Sequence, residues 1–320
     1  MVLQLPAGEA DSFDGIIDLI GMNQIIWQDD TLGTEYSATD IEPGYKENAE
    51  KWRETLVETV AEVDDDIMEA YLAEKPIDKK ALLNAIRRAT IDLKLVPVLC
   101  GSALKNTGIQ PLLDAIIHFL PAPSDIPPIT GIDPETGETV ACPPDDRKPL
   151  AALIFKVSMM DGRKLSYVRI YSGMLNAGAT VYNPVLKENE KLARILKIHA
   201  NRRERLNSTG AGSIVGVVGL KNSSTGDTLC TIDRPVLLEP IESYEPVISV
   251  AIEPKTHTDQ EKFEQVLEKF MAEDPTLRVK HDEDTGQVIL SGMGELHLEI
   301  IISRMQREFN TNVNVGKPQV

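Results

Sequence analysis

Eight of the chain's 20 prolines fall between Pro121 and Pro149, together with Gly131 and Gly137. Proline removes a backbone donor and fixes its own φ, so a stretch this dense continues neither a helix nor a central strand. It predicts a linker over 123–149 and splits the 320 residues into two parts, enough chain for two or three domains.

Before the prolines the pattern is helical. Trp52, Leu56, Val60, Val63, Ile67 and Tyr71 recur at steps of three and four. That spacing predicts one helix from Tyr45 to Leu72, its other face acidic and ending in Asp64-Asp65-Asp66. Further helices are predicted over Asp78–Ala89, with Ala81, Leu82, Ala85 and Ile86 inward, and over Ile109–Leu120. Leu95-Val96-Pro97-Val98-Leu99-Cys100 reads as a buried strand of the parallel-sheet kind.

After the prolines the period changes. Ala152–Val157, Leu165–Tyr171 and Ser213–Val218 are strand-like runs separated by glycine, which predicts a β-barrel over 150–240. Residues 241–320 read strand (Val247–Ile252), helix (Asp259–Met271), strand, strand, helix (Glu295–Phe309), strand. The middle strands are joined by an Asp284-Thr285-Gly286 turn. The order β-α-β-β-α-β is the ferredoxin-like, split βαβ arrangement.

Charge and chemistry exclude several classes. Lys plus Arg number 33 against 50 Asp plus Glu, a net −17 that repels free nucleic acid from the body of the chain. Residues 187–205 reverse the sign with Lys187, Lys191, Arg194, Lys197, Arg202, Arg203 and Arg205 against three acids. Phosphate contact by Arg194, Lys197, Arg202 and Arg203 explains this strip. A solvated barrel edge kept from aggregating by its charges explains it equally well. No apolar run reaches the ~20 residues that span a bilayer, and no basic start with an apolar block marks a secretion signal. Cys100, Cys142 and Cys230 stand alone, which argues for a reducing compartment and against a cysteine-built zinc site.

Catalytic motifs are missing. The sequence has no Gly-x-x-x-x-Gly-Lys-Ser/Thr loop and no Gly-x-Ser-x-Gly turn. Ser291-Gly292-Met293-Gly294 ends in His297 where a dinucleotide loop needs glycine. In His281-Asp282-Glu283-Asp284-Thr285-Gly286 the glycine falls too early for a calcium loop. His297 and Glu299 face different sides of a helix. No catalytic residue and no metal ligand is expected.

Longer phrases carry a resemblance. Gly101-Ser102-Ala103-Leu104-Lys105-Asn106 followed by Gly108-Ile109-Gln110-Pro111-Leu112-Leu113-Asp114-Ala115 resembles the last guanine-nucleotide motif and closing helix of elongation factor G, a translational GTPase. Arg169-Ile170-Tyr171-Ser172-Gly173, His199-Ala200-Asn201, Val218-Gly219-Leu220-Lys221 and Thr225-Gly226-Asp227-Thr228-Leu229-Cys230 are similar to its second domain. Glu273-Asp274-Pro275-Thr276, Ser291–Glu299 and Val315–Val320 are similar to its third.

The resemblance implies an internal fragment of such a factor. Residues 1–122 would be the C-terminal part of a P-loop GTPase domain, with 1–94 its acidic helical insert facing the ribosomal stalk. A translation-factor barrel and a ferredoxin-like domain would follow. Ser102, Ala103 and Leu104 would read the guanine edge through backbone amides. GTP and Mg²⁺ are implied for the full-length parent and none for the fragment, which should be inactive. The implied partners are ribosomal RNA, ribosomal proteins including the stalk, and GTP or GDP, for a cytoplasmic monomer that promotes translocation. A ribosome-recycling or ribosome-protection paralogue, or a non-catalytic ribosome- or RNA-binding module, would share these features. One departure points to a paralogue: the family's Thr-Asp-Pro-x-x-Gly-Lys-Leu is replaced by the shorter Met159-Met160-Asp161-Gly162-Arg163-Lys164-Leu165.

Overall fold

The computed structural model describes residues 1–320 except 29–31, 161, 162, 201, 243, 256–259, 283–285 and 318–320. The chain forms two compact units, Met1–Ile126 and Pro127–Val320.

The first unit opens with an antiparallel meander that the helical reading missed: β1 (Gln4–Ala7), β2 (Gly15–Asp18), β3 (Asn23–Trp27) and β4 (Tyr36–Thr39), in that order across the sheet. Four helices follow, α1 (Pro43–Ala61), α2 (Asp65–Leu72), α3 (Lys79–Ile91) and α4 (Ile109–Phe119). Their shared core contains Leu3, Leu5, Ile17, Leu19, Leu56, Val60, Leu82, Ile86 and Phe119.

The helix expected from Tyr45 to Leu72 is two. Asp64 sits in extended backbone and caps α2, its carboxylate accepting the Ile67 N–H at 3.3 Å. A side-chain cap of this kind satisfies a donor that the helix start leaves unpaired. Arg88 of α3 closes on the other carboxylate oxygen through Nε (3.1 Å) and Nη2 (2.6 Å), so the first residue of the acidic run is buried as a joint. Trp52, expected inward, is 38% exposed because Ala49, Leu56 and Val60 hold the inner face.

The expected buried strand at Leu95–Cys100 is also corrected. It makes one parallel bridge, Val2 to Val98, with N–H···O bonds of 2.9 Å on either side. Val96 and Val98 remain exposed, because the backbone there is paired on one margin only.

In the second unit, residues 127–149 are more than a linker. They form β5 (Ile129–Ile132) and β6 (Thr139–Cys142), later joined by β17 (Leu237–Leu238). The prolines flank these strands or, as Pro134, occupy the turn between them. There Asp133 Oδ1 accepts the Glu135 and Thr136 N–H groups, and Gly137 supplies the positive φ of +74°.

The barrel strands are β7 (Ala151–Met160), β8 (Arg163–Ser172), β9 (Met174–Asn176), β10 (Thr180–Asn183), β11 (Glu188–Lys191), β12 (Arg194–His199), β13 (Arg202–Leu206), β14 (Ser208–Gly210), β15 (Ile214–Val218) and β16 (Thr228–Cys230). Eight of them form one antiparallel sheet, ordered β11-β10-β16-β7-β8-β15-β12-β13. Two adjacent residues carry the chain between its margins. Leu192 N–H donates to Ala179 O beside β10, and Ala193 N–H donates to Val218 O at the end of β15, both at 2.9 Å. Leu192 is fully buried there among Ile154, Val168, Ile170, Ile195, Val217 and Leu229, so the sheet curls around its own core.

The last domain has the expected order: β18 (Ile248–Pro254), α5 (Gln260–Glu273), β19 (Arg278–His281), β20 (Val288–Gly292), α6 (Glu295–Phe309) and β21 (Val313–Gly316). Its antiparallel sheet runs β19-β20-β18-β21, the ferredoxin-like topology. Phe263, Val266, Leu267 and Phe270 of α5 pack with Leu298, Ile301 and Met305 of α6 over this sheet. Asp284 and Thr285 of the expected hairpin turn lie outside the described residues. Around them Asp282 and Gln287 close the hairpin with an N–H···O bond of 2.9 Å.

Candidate base-reading loop and nucleic-acid interface

The loop between Gly101 and Gly108 is a narrow hairpin. Ser102 and Thr107 exchange both backbone bonds, Ser102 N–H to Thr107 O at 2.8 Å and Thr107 N–H to Ser102 O at 3.0 Å. Asn106 turns the chain at φ +57° and donates its N–H to Ala103 O at 3.2 Å. Gly101 is required by space, because a Cβ would lie 2.7 Å from Thr107 O. Gly108 then opens α4 at φ +83°.

The tip of the β3–β4 hairpin props this loop. Asn106 Nδ2 donates to Leu32 O and Gly33 O, both at 3.2 Å, and Gln110 Nε2 donates to Gly33 O at 2.7 Å. Trp27 Nε1 fixes the Gln110 amide by donating to its oxygen at 3.2 Å. Ala103 and Leu104 are exposed at the crest, Leu104 almost completely. Such a loop can present backbone donors to a planar ligand edge without using its side chains. Among the described residues no group of His, Cys, Asp and Glu is placed to hold an ion.

The four basic candidates do not share a surface. β12 and β13 pair in register Ile195–Leu206, Leu196–Arg205, Lys197–Glu204, Ile198–Arg203 and His199–Arg202. Side chains alternate along a strand, and directly paired residues point the same way. Arg194 and Arg203 therefore lie on the face of Leu196 and Ile198. Lys197 and Arg202 lie on the opposite face, with Glu204 directly across from Lys197. Arg194 and Arg203 meet Arg163 at the start of β8, a residue that sequence reasoning passed over. The parity of 194 against 197 was visible in the sequence; the cross-strand register was not.

Behind this face the loop from Leu220 to Asp227 is held by buried polar groups. The Glu190 carboxylate accepts the N–H groups of Lys221, Asn222 (3.2 Å) and Ser223 (2.8 Å) and the Ser223 hydroxyl. Burial alone would raise the Glu190 carboxyl, but these donors outweigh it and hold it below the usual glutamate range. Asn183 Nδ2 reaches Ser223 Oγ and Asp227 Oδ2, each at 2.9 Å. Lys164 points its ammonium to Lys221 O (3.1 Å) and Ser223 O (2.5 Å). Burial lowers its pKa, opposed by Glu190 and Asp227.

His297, in the Gly292-Met293-Gly294 phrase, is a tie and not a metal ligand. Its Nε2 meets Asp274 Oδ2 at 2.8 Å and its Nδ1 accepts the Met293 N–H at 3.1 Å, joining the turns that precede β19 and α6. Glu273 beside it accepts from Met159 N–H of β7 and from Arg304 Nη2 (2.9 Å), which joins the barrel to the ferredoxin-like domain.

The structure thus sets a curled antiparallel barrel before a ferredoxin-like domain. Comparison with known proteins is specific. The family described as Elongation factor G domain 2 matches residues 149–232, and Elongation Factor G, domain III, matches 244–317. Elongation factor G 2 of Syntrophus aciditrophicus (strain SB) is 54% identical over 319 residues, covering 99% of this chain and 47% of that protein. Elongation factor G of Aquifex pyrophilus is 50% identical over 323 residues, covering 100% and 46%. A crystal structure of a Thermus thermophilus protein superposes with a TM-score of 0.81 at 25% identity, over the whole of this chain and 45% of that one. Residues 149–232 and 244–317 thus match the second and third domains of elongation factor G, and the chain is similar to that family along its whole length. It spans about half the length of the relatives it matches.

Proposed function

We propose that the chain is part of a translational GTPase of the elongation factor G type, which docks on the ribosome and promotes GTP-dependent movement of tRNA and mRNA. The observation that carries this reading is 50–54% identity over 99–100% of the chain. On this reading residues 1–122 end the GTPase domain, 1–94 are its acidic insert facing the basic proteins of the ribosomal stalk, and 150–240 and 241–320 are its barrel and third domain. Of the expected Ser102, Ala103 and Leu104, the backbone amides of Ala103 and Leu104 contact the guanine edge, while the Ser102 N–H is spent on Thr107 O and shapes the turn. In the whole factor GTP supplies its energy with Mg²⁺ on its phosphates; this chain offers that ligand only the loop. The protein works in the cytoplasm as a monomer. Among the described residues no helix is long and apolar enough to cross a membrane. The altered loop at Met159–Leu165 favours, as a second reading, a recycling or protection paralogue on the same scaffold.

By itself the chain is expected to hydrolyse no GTP above background and to bind it weakly or not at all, since its sequence has no Gly-x-x-x-x-Gly-Lys-Ser/Thr loop. Titration calorimetry checks this, and micromolar affinity for GTP would contradict it. Sequencing the gene upstream of the Val2 codon tests the parent. The reading requires an in-frame Gly-x-x-x-x-Gly-Lys-Ser/Thr followed by Asn-Lys-x-Asp, and a different upstream protein would overturn it.

A further inference from the structure

The Gly101–Gly108 loop takes its position from residues far away in sequence. Gly33, at the tip of the β3–β4 hairpin, lies flush against it. A Cβ on Gly33 would stand 2.7 Å from Lys105 O and 2.8 Å from both Asn106 Cβ and Asn106 O, and the φ of +75° also calls for glycine. The Gly33 carbonyl accepts from Asn106 Nδ2 at 3.2 Å and from Gln110 Nε2 at 2.7 Å. Gln110 in turn accepts the Trp27 indole N–H at 3.2 Å, across 83 residues of sequence. Trp27 is buried and faces its cross-strand partner Tyr36, with 5.5 Å between ring centroids. The other end of β3 is tied as well. Gln24 is 2% exposed, accepts the Glu42 N–H at 3.0 Å and donates to Glu42 Oε1 at 3.2 Å, where α1 begins. The hairpin is thus an arm fixed at its root and pressed on the loop at its tip.

The loop divides its own amides between shape and recognition. Ser102 N–H closes on Thr107 O and Asn106 N–H on Ala103 O, which leaves the Ala103 and Leu104 amides at the crest. Amide donors match the O6 acceptor of guanine. A 6-amino purine carries a donor at that position and meets them donor to donor. Such a site rejects the wrong group only while its own groups are held to within about 0.5 Å. The geometry points to Trp27, Gly33 and Gln110 as positioning residues for guanine selectivity: the hairpin of the insert clamps the loop so that its amides tell O6 from an amino group. This rests on the GTPase reading above and adds that the insert, through this arm, sets part of the base preference of the nucleotide site.

The clamp is tested on the whole factor that carries this chain, with a ribose-labelled GDP displaced by GDP or by the diphosphate of 2,6-diaminopurine riboside. The two competitors differ only at position 6, so the ratio of their Kd values reads the loop, and that ratio does not depend on the fraction of protein correctly folded. The wild-type factor should prefer GDP. Trp27→Phe and Gln110→Met remove the tie without adding bulk, and each should lower the preference about fivefold, the scale of one lost hydrogen bond. Gly33→Ala, which pushes into Lys105 and Asn106, should lower it at least as much. Trp52→Phe, on the outer part of α1, should leave it within about twofold. If the wild-type factor prefers GDP and the three hairpin and helix variants keep that preference, the clamp falls alone. A loss as large in Trp52→Phe as in Trp27→Phe would overturn it too. If the wild-type factor binds neither nucleotide, the GTPase reading falls and takes the clamp with it.

Discussion

Glu190→Ala is expected to destabilise the barrel by about 3–5 kcal/mol, the range for removing one side of a buried, fully hydrogen-bonded charge. The carboxylate is the common acceptor for three backbone N–H groups and the Ser223 hydroxyl, and Glu190 is 6% exposed. Alanine leaves those donors without a partner inside the protein, and half-buried Lys164 loses the larger of the two carboxylate attractions, from Glu190 and Asp227, that offset its burial. The neighbour Glu188 is exposed and reaches only the Asn222 side chain, so Glu188→Ala should cost under about 1 kcal/mol. Hydrogen exchange resolved to peptides of β10, β16 and the 220–227 loop reads both. Equal protection in the two variants would contradict the account.

The same group predicts an acid response. Its carboxyl is held below the ordinary glutamate value in the folded barrel. The stability it contributes is therefore complete above the unfolded value and is lost as pH falls through the lower, folded one. Protection of the 220–227 loop should fall over that acid window in the wild-type chain. Glu190→Ala, already without the contribution, should lack that part of the slope.

Phe270→Ala is the second large effect, about 3–5 kcal/mol from the ferredoxin-like domain. The ring is 1% exposed, meets Phe309 edge-on at 5.6 Å between centroids and lies beneath the Arg304 guanidinium at 4.7 Å. Alanine removes the filling between α5 and α6 and both ring contacts, and the sheet cannot close the space without moving both helices. Phe270→Leu keeps most of the volume and should lose under half as much. Urea unfolding followed by exchange in α5, α6 and β20 is the check. An unchanged midpoint for Phe270→Ala would place the core elsewhere.

Legibility in the sequence followed the length of each periodic run. The ferredoxin-like order could be read because each helix shows three or more turns of one apolar face and each strand is bounded by turn residues. The opening meander was missed because its strands are four or five residues long and β4 is exposed along its whole length. Asp64 broke a helix that periodicity carried straight through, because a cap is decided by backbone geometry and by Arg88, 24 residues away. Glu190 counted as one more surface acid in a basic strip. Its burial depends on Ser223 and two further amides from a loop over 30 residues on. The Gly101–Gly108 loop could be located through its phrase, but its props, Gly33 and Trp27, come from a hairpin that sequence reasoning had not placed there.

The most direct test of ribosome docking is sedimentation of this chain with 70S ribosomes, at low and moderate salt, with full-length elongation factor G as competitor. The account predicts pelleting that weakens as salt rises and is displaced by the competitor, because both would occupy one site. Pelleting no greater than that of an unrelated protein of the same net charge, or pelleting that an excess of elongation factor G leaves unchanged, would contradict it.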